Sequence, residues 1–271
     1  MRALNRPTSW WGWNWDPPIP MSITELIAAG NMDSRVAALF WVAMERGASL
    51  LVAADPPHSG KTTTVSALLA FTKPETVVYF TRGEGEPFQL PAVSQEYDTY
   101  ILVNEMSNHI PVYTWDQNAR RVFELASEGY RVATTMHDTT VEGALGQLER
   151  ELSIPKKHLA NVTLVVPMFI GRVNGTTARR IEEIAFLEPK GDGYNITRLV
   201  TWDRDSDTHG TLADDNAKRA FAAWAKLSPE ALDQQLTERA GFLDALRNTG
   251  ANDIPEVNSA IEAYYEQMLR G

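Results

Sequence analysis

The sequence predicts an α/β fold: a largely parallel sheet with helices on its faces, an antiparallel hairpin extension and a helical C-terminal region. Three observations lead there. Short apolar runs alternate with segments of helical period between 49 and 152, as in strands joined by crossover helices. After Pro155, the turn signals Asn174-Gly175 and Gly191-Asp192-Gly193 separate strand-like runs, as hairpins require. From about Leu212 onward the pattern is helical.

Composition narrows the class. The 271 residues are 44% hydrophobic, enough for one large core or a core with a small appendage. The formal net charge of -10 repels phosphate backbones and argues against bulk nucleic-acid binding. There is no cysteine, so disulfides, thiolate metal sites and cysteine nucleophiles are excluded, and a cytoplasmic setting is expected. No stretch has the length of a membrane span, and the N-terminus lacks a signal-peptide layout.

The elements follow in order. Residues 1–20 hold Trp10, Trp11, Trp13 and Trp15. They are expected to form an arm on the protein's own core, with a docking peptide as the alternative. Ser22-Ile23-Thr24-Glu25 has capping-box spacing. Asp33 and Ser34 can cap a helix running to Arg46, with Val36, Leu39, Phe40 and Ala43 on one face. Strands are expected at 49–54, 76–81, 99–104 and 131–135, with helices at 61–71, 115–127 and 141–152. Further strands are expected at 162–169, 179–188 and 194–202, then helices at 217–226, 229–248 and 256–269. The organisation expected is an arm (1–20), an α/β domain (21–205) and a C-terminal helical region (206–271).

Three strand ends carry chemistry. Asp55-Pro56-Pro57-His58-Ser59-Gly60-Lys61-Thr62 lies between a strand and a helix. A phosphate-binding loop needs that setting, with backbone N–H groups, a lysine for the β/γ-phosphates and a hydroxyl for Mg²⁺. Asp55 stands where such a loop has its first glycine. A carboxylate ~6 Å from phosphate repels it by about 3 kcal/mol at an effective dielectric of 20. Tyr100-Ile101-Leu102-Val103-Asn104-Glu105 is an apolar strand ending in an acid, placed to hold Mg²⁺ through water or to orient an attacking water. Thr134-Thr135-Met136-His137 ends a third strand, at the edge where open α/β sheets bind ligands.

In order and spacing these segments resemble the secretion-type ATPases of the PilT/GspE class, which power type II and type IV secretion and pili. The lead-in from Ile23-Thr24-Glu25 to Arg46-Gly47-Ala48 is similar to that family's, and Thr81-Arg82-Gly83-Glu84-Gly85-Glu86 resembles its acidic box. Thr134 to His137 resembles its histidine box, and Arg172, Asn174-Gly175 and Arg179-Arg180 its C-terminal hairpins. Glu238-Arg239, Phe242-Leu243, Leu246, Val257, Ile261 and Tyr264-Tyr265 look like the archaellum and Tad-pilus branch. The resemblance implies a RecA-like P-loop NTPase core with ATP and Mg²⁺ as cofactors. It implies Ser59, Gly60, Lys61, Thr62 and Thr63 as nucleotide-binding residues, Thr62 and Glu105 at the metal, and Glu105 and His137 as catalytic residues. A homo-oligomer, hexameric in the family, and partners in secretion or pilus machinery, with peripheral association to a membrane complex, are implied as well.

The departures point to weakened catalysis. Asp55 and His58 replace glycines, Ser107 and Asn108 stand where an arginine is usual, and Gln147 stands near another. The family's N-terminal domain is expected to be missing. Each change removes positive charge or backbone approach from the phosphate site. Two readings follow: an ATP-binding ATPase with slow hydrolysis, or a non-catalytic scaffold or regulatory relative.

Overall fold

The computed structural model describes residues 1–5 and 20–270; the four clustered tryptophans lie outside these residues. The chain is a mixed α/β structure with one large sheet. Its elements begin with β1 (Arg2–Ala3), α1 (Ile23–Ala28), α2 (Ser34–Glu45), β2 (Leu50–Ala53), α3 (Lys61–Leu69), β3 (Val77–Phe80) and β4 (Thr99–Met106). There follow α4 (Asp116–Ser127), β5 (Arg131–Met136), α5 (Val141–Gly146), a π-helical turn (Gln147–Glu151) and α6 (Lys156–Leu159). The remainder is β6 (Leu164–Val173), β7 (Thr176–Ile181), β8 (Glu183–Lys190), β9 (Gly193–Asp203), β10 (Thr208–Thr211), α7 (Asp215–Trp224), α8 (Pro229–Asn248) and α9 (Ile254–Arg270).

The sheet runs β1-β3-β4-β5-β2-β6-β8-β9-β10, with β7 paired to β6. Pairing is parallel from β1 through β6 and antiparallel beyond. One strand, β5, therefore separates the strand leading into the loop from the strand carrying Glu105. The alternation of side chains along each strand splits the core in two. Leu50, Val52, Tyr100 and Leu102 face α2, α3, α7, α8 and α9. Leu51, Ala53, Ile101 and Val103 face α4, α5 and α6.

Local signals explain the helix starts. Ser22 and Glu25 form the capping box of α1, and the Asp33 side chain accepts from Val36 N at the start of α2. Helix α2 is buried almost all round because it sits between the sheet and the C-terminal helices. Trp41 stacks on Phe71 at 5.0 Å and donates to Tyr265 Oη at 2.9 Å; Tyr265 in turn donates to Phe71 O at 2.7 Å. Arg239 is fully buried, pairs with Glu45 and lies over the Trp41 ring. These contacts tie α8 and α9 to the same core as the sheet.

The structure departs from the expectation at several points. The single strand expected at 179–188 is two, because Met168 faces Ile181 whereas Leu164 faces Phe186. The returning chain thus carries one extra residue against β6, a bulge at Glu182, whose N–H reaches Pro167 O. A short strand, β10, precedes the helical tail. Residues 2 and 3 add a parallel edge strand beside β3. The helix expected at 141–152 ends in a π-helical turn.

Candidate functional site

The loop from Ala54 to Gly60 leaves β2 at its C-terminal end and delivers the chain into α3. Gly60 adopts φ 95°, a left-handed conformation suited to glycine, and gives α3 no side-chain cap. The first N–H groups of α3 are thus left to point into the loop. Lys61 folds inward, and its Nζ donates to Ala54 O at 3.1 Å. Burial lowers the Lys61 pKa, while the carboxylates of Glu105 and Asp55 act the other way. Ser59 is fully buried and its hydroxyl has no partner among the described residues, whereas Thr62 and Thr63 are half-buried. His58 also takes a positive φ, 64°, the conformation that a glycine there would adopt freely. Arg179 of β7 braces the loop by donating to His58 O from Nε (3.1 Å) and Nη2 (3.0 Å).

Glu105, near the end of β4, and His137, just past β5, meet at this edge. His137 Nε2 is 3.1 Å from Glu105 Oε1, and His137 Nδ1 is 3.6 Å from Asp55 Oδ1. Ser107 Oγ donates to the same Glu105 oxygen at 3.0 Å. Burial pushes the Glu105 pKa up, but the hydrogen bond and charge of His137, then Lys61 and Ser107, outweigh it and leave it lowered. The backbone at His137 is fixed by Gln147, whose Nε2 donates to His137 O at 2.8 Å and to Asp138 Oδ2 at 2.9 Å. Gln147, marked in the sequence only as a lost arginine, therefore has a positioning role.

Other residues fall differently. Glu86 of the acidic segment accepts from Tyr79 Oη (2.6 Å), Arg82 N (2.6 Å) and Phe88 N (2.7 Å). Its carboxylate is committed to its own loop. Burial first, then Glu86, pushes the Tyr79 hydroxyl up to about 12. His109 escaped the sequence reading. It comes to the site from the turn after β4, its Nδ1 4.0 Å from Glu105 Oε1 and its ring 5.2 Å from that of His137. Only its position four residues after Glu105 could have hinted at this.

No protein-family model matches the chain. Two proteins of Methanocaldococcus jannaschii are similar in sequence. Uncharacterized protein MJ0900 is 25% identical over 286 residues, covering 93% of this chain and 50% of that protein. Uncharacterized protein MJ1287 is 24% identical over 259 residues, covering 84% and 93%. The chain thus spans about half the length of the first. Among solved structures, the VirB11 ATPase from the Brucella suis type IV secretion system, in complex with sulphate, gives a TM-score of 0.40 at 20% identity, covering 68% of this chain and 60% of that one. The Legionella pneumophila ATPase DotB gives 0.36 at 11% identity, covering 90% and 66%.

Proposed function

We propose that this chain binds Mg-ATP at the 55–63 loop and hydrolyses it slowly, as a RecA-like relative of the secretion and pilus ATPases. One observation carries the reading: the buried Lys61 sits at the uncapped start of α3, at the sheet edge where His137 engages Glu105 at 3.1 Å. A lysine, helix N–H donors and an acid at one sheet edge match what phosphoryl transfer asks of a protein. Gly60, Lys61 and the backbone of Ser59 would hold the phosphates, with Thr63 beside them. Thr62 and Glu105 would hold the Mg²⁺, which would neutralise phosphate charge. Glu105 would orient water, and His137 would hold Glu105 and meet the γ-phosphate side.

Slow turnover follows from the same contacts. Asp55 adds negative charge beside the loop, and Glu105 is already engaged by His137 and Ser107. The domain reading (a core over 21–205 with a helical region over 206–271), the archaellum-like branch, a hexamer, and action on a secretion or pilus machine from the cytoplasmic side belong to this proposal and rest on the motif order. Among the described residues no helix is long and apolar enough to cross a membrane. The inward fold of Lys61 onto Ala54 O favours a second reading, a scaffold whose loop stays closed.

A calorimetric titration of Mg-ATP into wild type and Lys61→Ala separates the two. Saturable binding in wild type that Lys61→Ala abolishes supports the ATPase reading. No binding in either leaves the scaffold.

A further inference from the structure

Glu105, His109 and His137 each present one ligand atom, and the three atoms lie within 4.8 Å of one another. We propose that they form a site for a borderline divalent transition metal of the Zn²⁺ class, distinct in chemistry from the Mg²⁺ of a nucleotide complex. The donor set points there. Mg²⁺ takes oxygen ligands and dehydrates reluctantly. Two imidazoles and a carboxylate suit Zn²⁺, Co²⁺ and Ni²⁺ instead.

The geometry is close to a bound one. Ligands about 2.0–2.2 Å from a tetrahedral ion stand roughly 3.3 Å apart. His137 Nε2 and Glu105 Oε1 are already 3.1 Å apart, on side chains only 22% and 10% exposed. His109 Nδ1 is 4.0 Å from the same oxygen, on a side chain 60% exposed. Two ligands are therefore already at ligand spacing, and the third, on the solvent side, has to close by a little under an ångström towards Glu105 and by up to about 1.5 Å towards His137. A fourth position remains for water.

Asp55 completes the arrangement. A neutral His137 that ligates through Nε2 carries its one ring proton on Nδ1. That atom faces Asp55 Oδ1 at 3.6 Å, so a small shift makes a carboxylate–histidine–metal relay that fixes the tautomer. Ser107 Oγ on Glu105 and Gln147 on the His137 backbone hold the other ligands. Within this site the aspartate that replaces a loop glycine has a purpose of its own. Metal binding would also take Glu105 and His137 away from any bound nucleotide, making the metal an inhibitor of the proposed ATPase.

The test uses the metal alone, so its outcome is independent of nucleotide binding. Tag-free, chelator-treated protein is titrated with Zn²⁺ by calorimetry and with Co²⁺ by visible absorption. One equivalent should bind. His109→Ala, at an exposed residue the fold does not need, should weaken Zn²⁺ affinity at least tenfold, and Glu105→Gln likewise. Asp55→Asn should weaken it about tenfold, the lower end of the loss expected for an outer partner. His158→Ala, at a histidine bonded to Ser127, should change nothing. Absence of saturable binding near one equivalent, or wild-type affinity in His109→Ala, overturns the proposal.

Discussion

Asp55 Oδ1 lies 3.6 Å from His137 Nδ1, joining the phosphate-loop candidate to the end of β5. In the sequence Asp55 is only an unwanted charge where a glycine belongs. In the structure it is also a neighbour of the histidine that touches Glu105.

The first prediction separates those two roles. Asp55→Gly removes the carboxylate and should tighten Mg-ATP on the proposed reading. The side chain is 62% exposed, so solvent screens it and the gain should be about three- to tenfold, well below the unscreened repulsion. Asp55→Asn removes the same charge but keeps a hydrogen-bonding group beside His137. Equal gains in the two variants would show that charge sets the affinity. A gain confined to glycine would assign it to backbone approach. Calorimetric titration of both variants beside wild type checks this.

The second prediction concerns acid stability. The Glu105 pKa is lowered on folding although burial alone would raise it. A carboxylate with a lowered folded pKa contributes stability that is fully present above its unfolded value, 4.5 here, and is lost as pH falls through the folded value. Stability should therefore decline below about pH 4.5. In His137→Ala the largest opposing influence is gone, so the folded pKa moves up towards or past the unfolded value and this part of the acid-side loss should shrink or disappear. In Glu105→Gln this contribution to the acid limb should vanish. Urea unfolding between pH 3 and pH 6 reads all three, and an acid limb in His137→Ala as steep as that of wild type would count against the Glu105–His137 coupling.

Much of the frame was legible because its signals are local. The Ser22/Glu25 capping box involves residues a turn apart, and both it and the start of α8 at Pro229 occur as the sequence suggests. The bulge at Glu182 was hidden because apolar residues continue on both sides of it, and only the partner strand reveals the extra residue. Strand β10, Thr-His-Gly-Thr, lies at the sheet edge and lacks the apolar run that marks a buried strand. At the site, Lys61, Glu105 and His137 are strand-end or helix-start residues, so alternation alone brings them to one edge. His109 and Arg179 arrive from a turn and a hairpin arm, and the reach of those segments is set by tertiary packing.

The third prediction tests the anchor of the tail. Arg239 is fully buried against Glu45, itself 13% exposed, and its Nε and Nη1 have no partner among the described residues. Arg239→Ala leaves a nearly buried carboxylate unpaired and should cost about 3–5 kcal/mol. Replacing both residues by methionine removes the unpartnered nitrogens and the stranded charge together, and should recover most of that loss. Urea midpoints of the single and double variants measure it. A double variant as unstable as Arg239→Ala would mean that the contact with the Trp41 ring, rather than the ion pair, secures α8.

The last prediction asks what Gly60 is for. A Cβ at this position would lie 3.3 Å from Arg179 Cδ, and the backbone φ is 95°. Either feature could make alanine unwelcome. The contact is with a flexible, exposed side chain, which can retreat by a few tenths of an ångström. The dihedral belongs to the backbone and cannot be relieved without moving the start of α3. Left-handed conformations cost a residue with a Cβ about 1–2 kcal/mol, so the dihedral should dominate. Gly60→Ala should therefore destabilise by about 1–2 kcal/mol. Arg179→Ala should cost less than about 1 kcal/mol, since its two bonds to His58 O are solvent-exposed. If the dihedral sets the cost, the two losses should add in the double variant to within about 0.5 kcal/mol. If the contact sets it, removing Arg179 should rescue Gly60→Ala, and the double variant should be no less stable than Arg179→Ala alone.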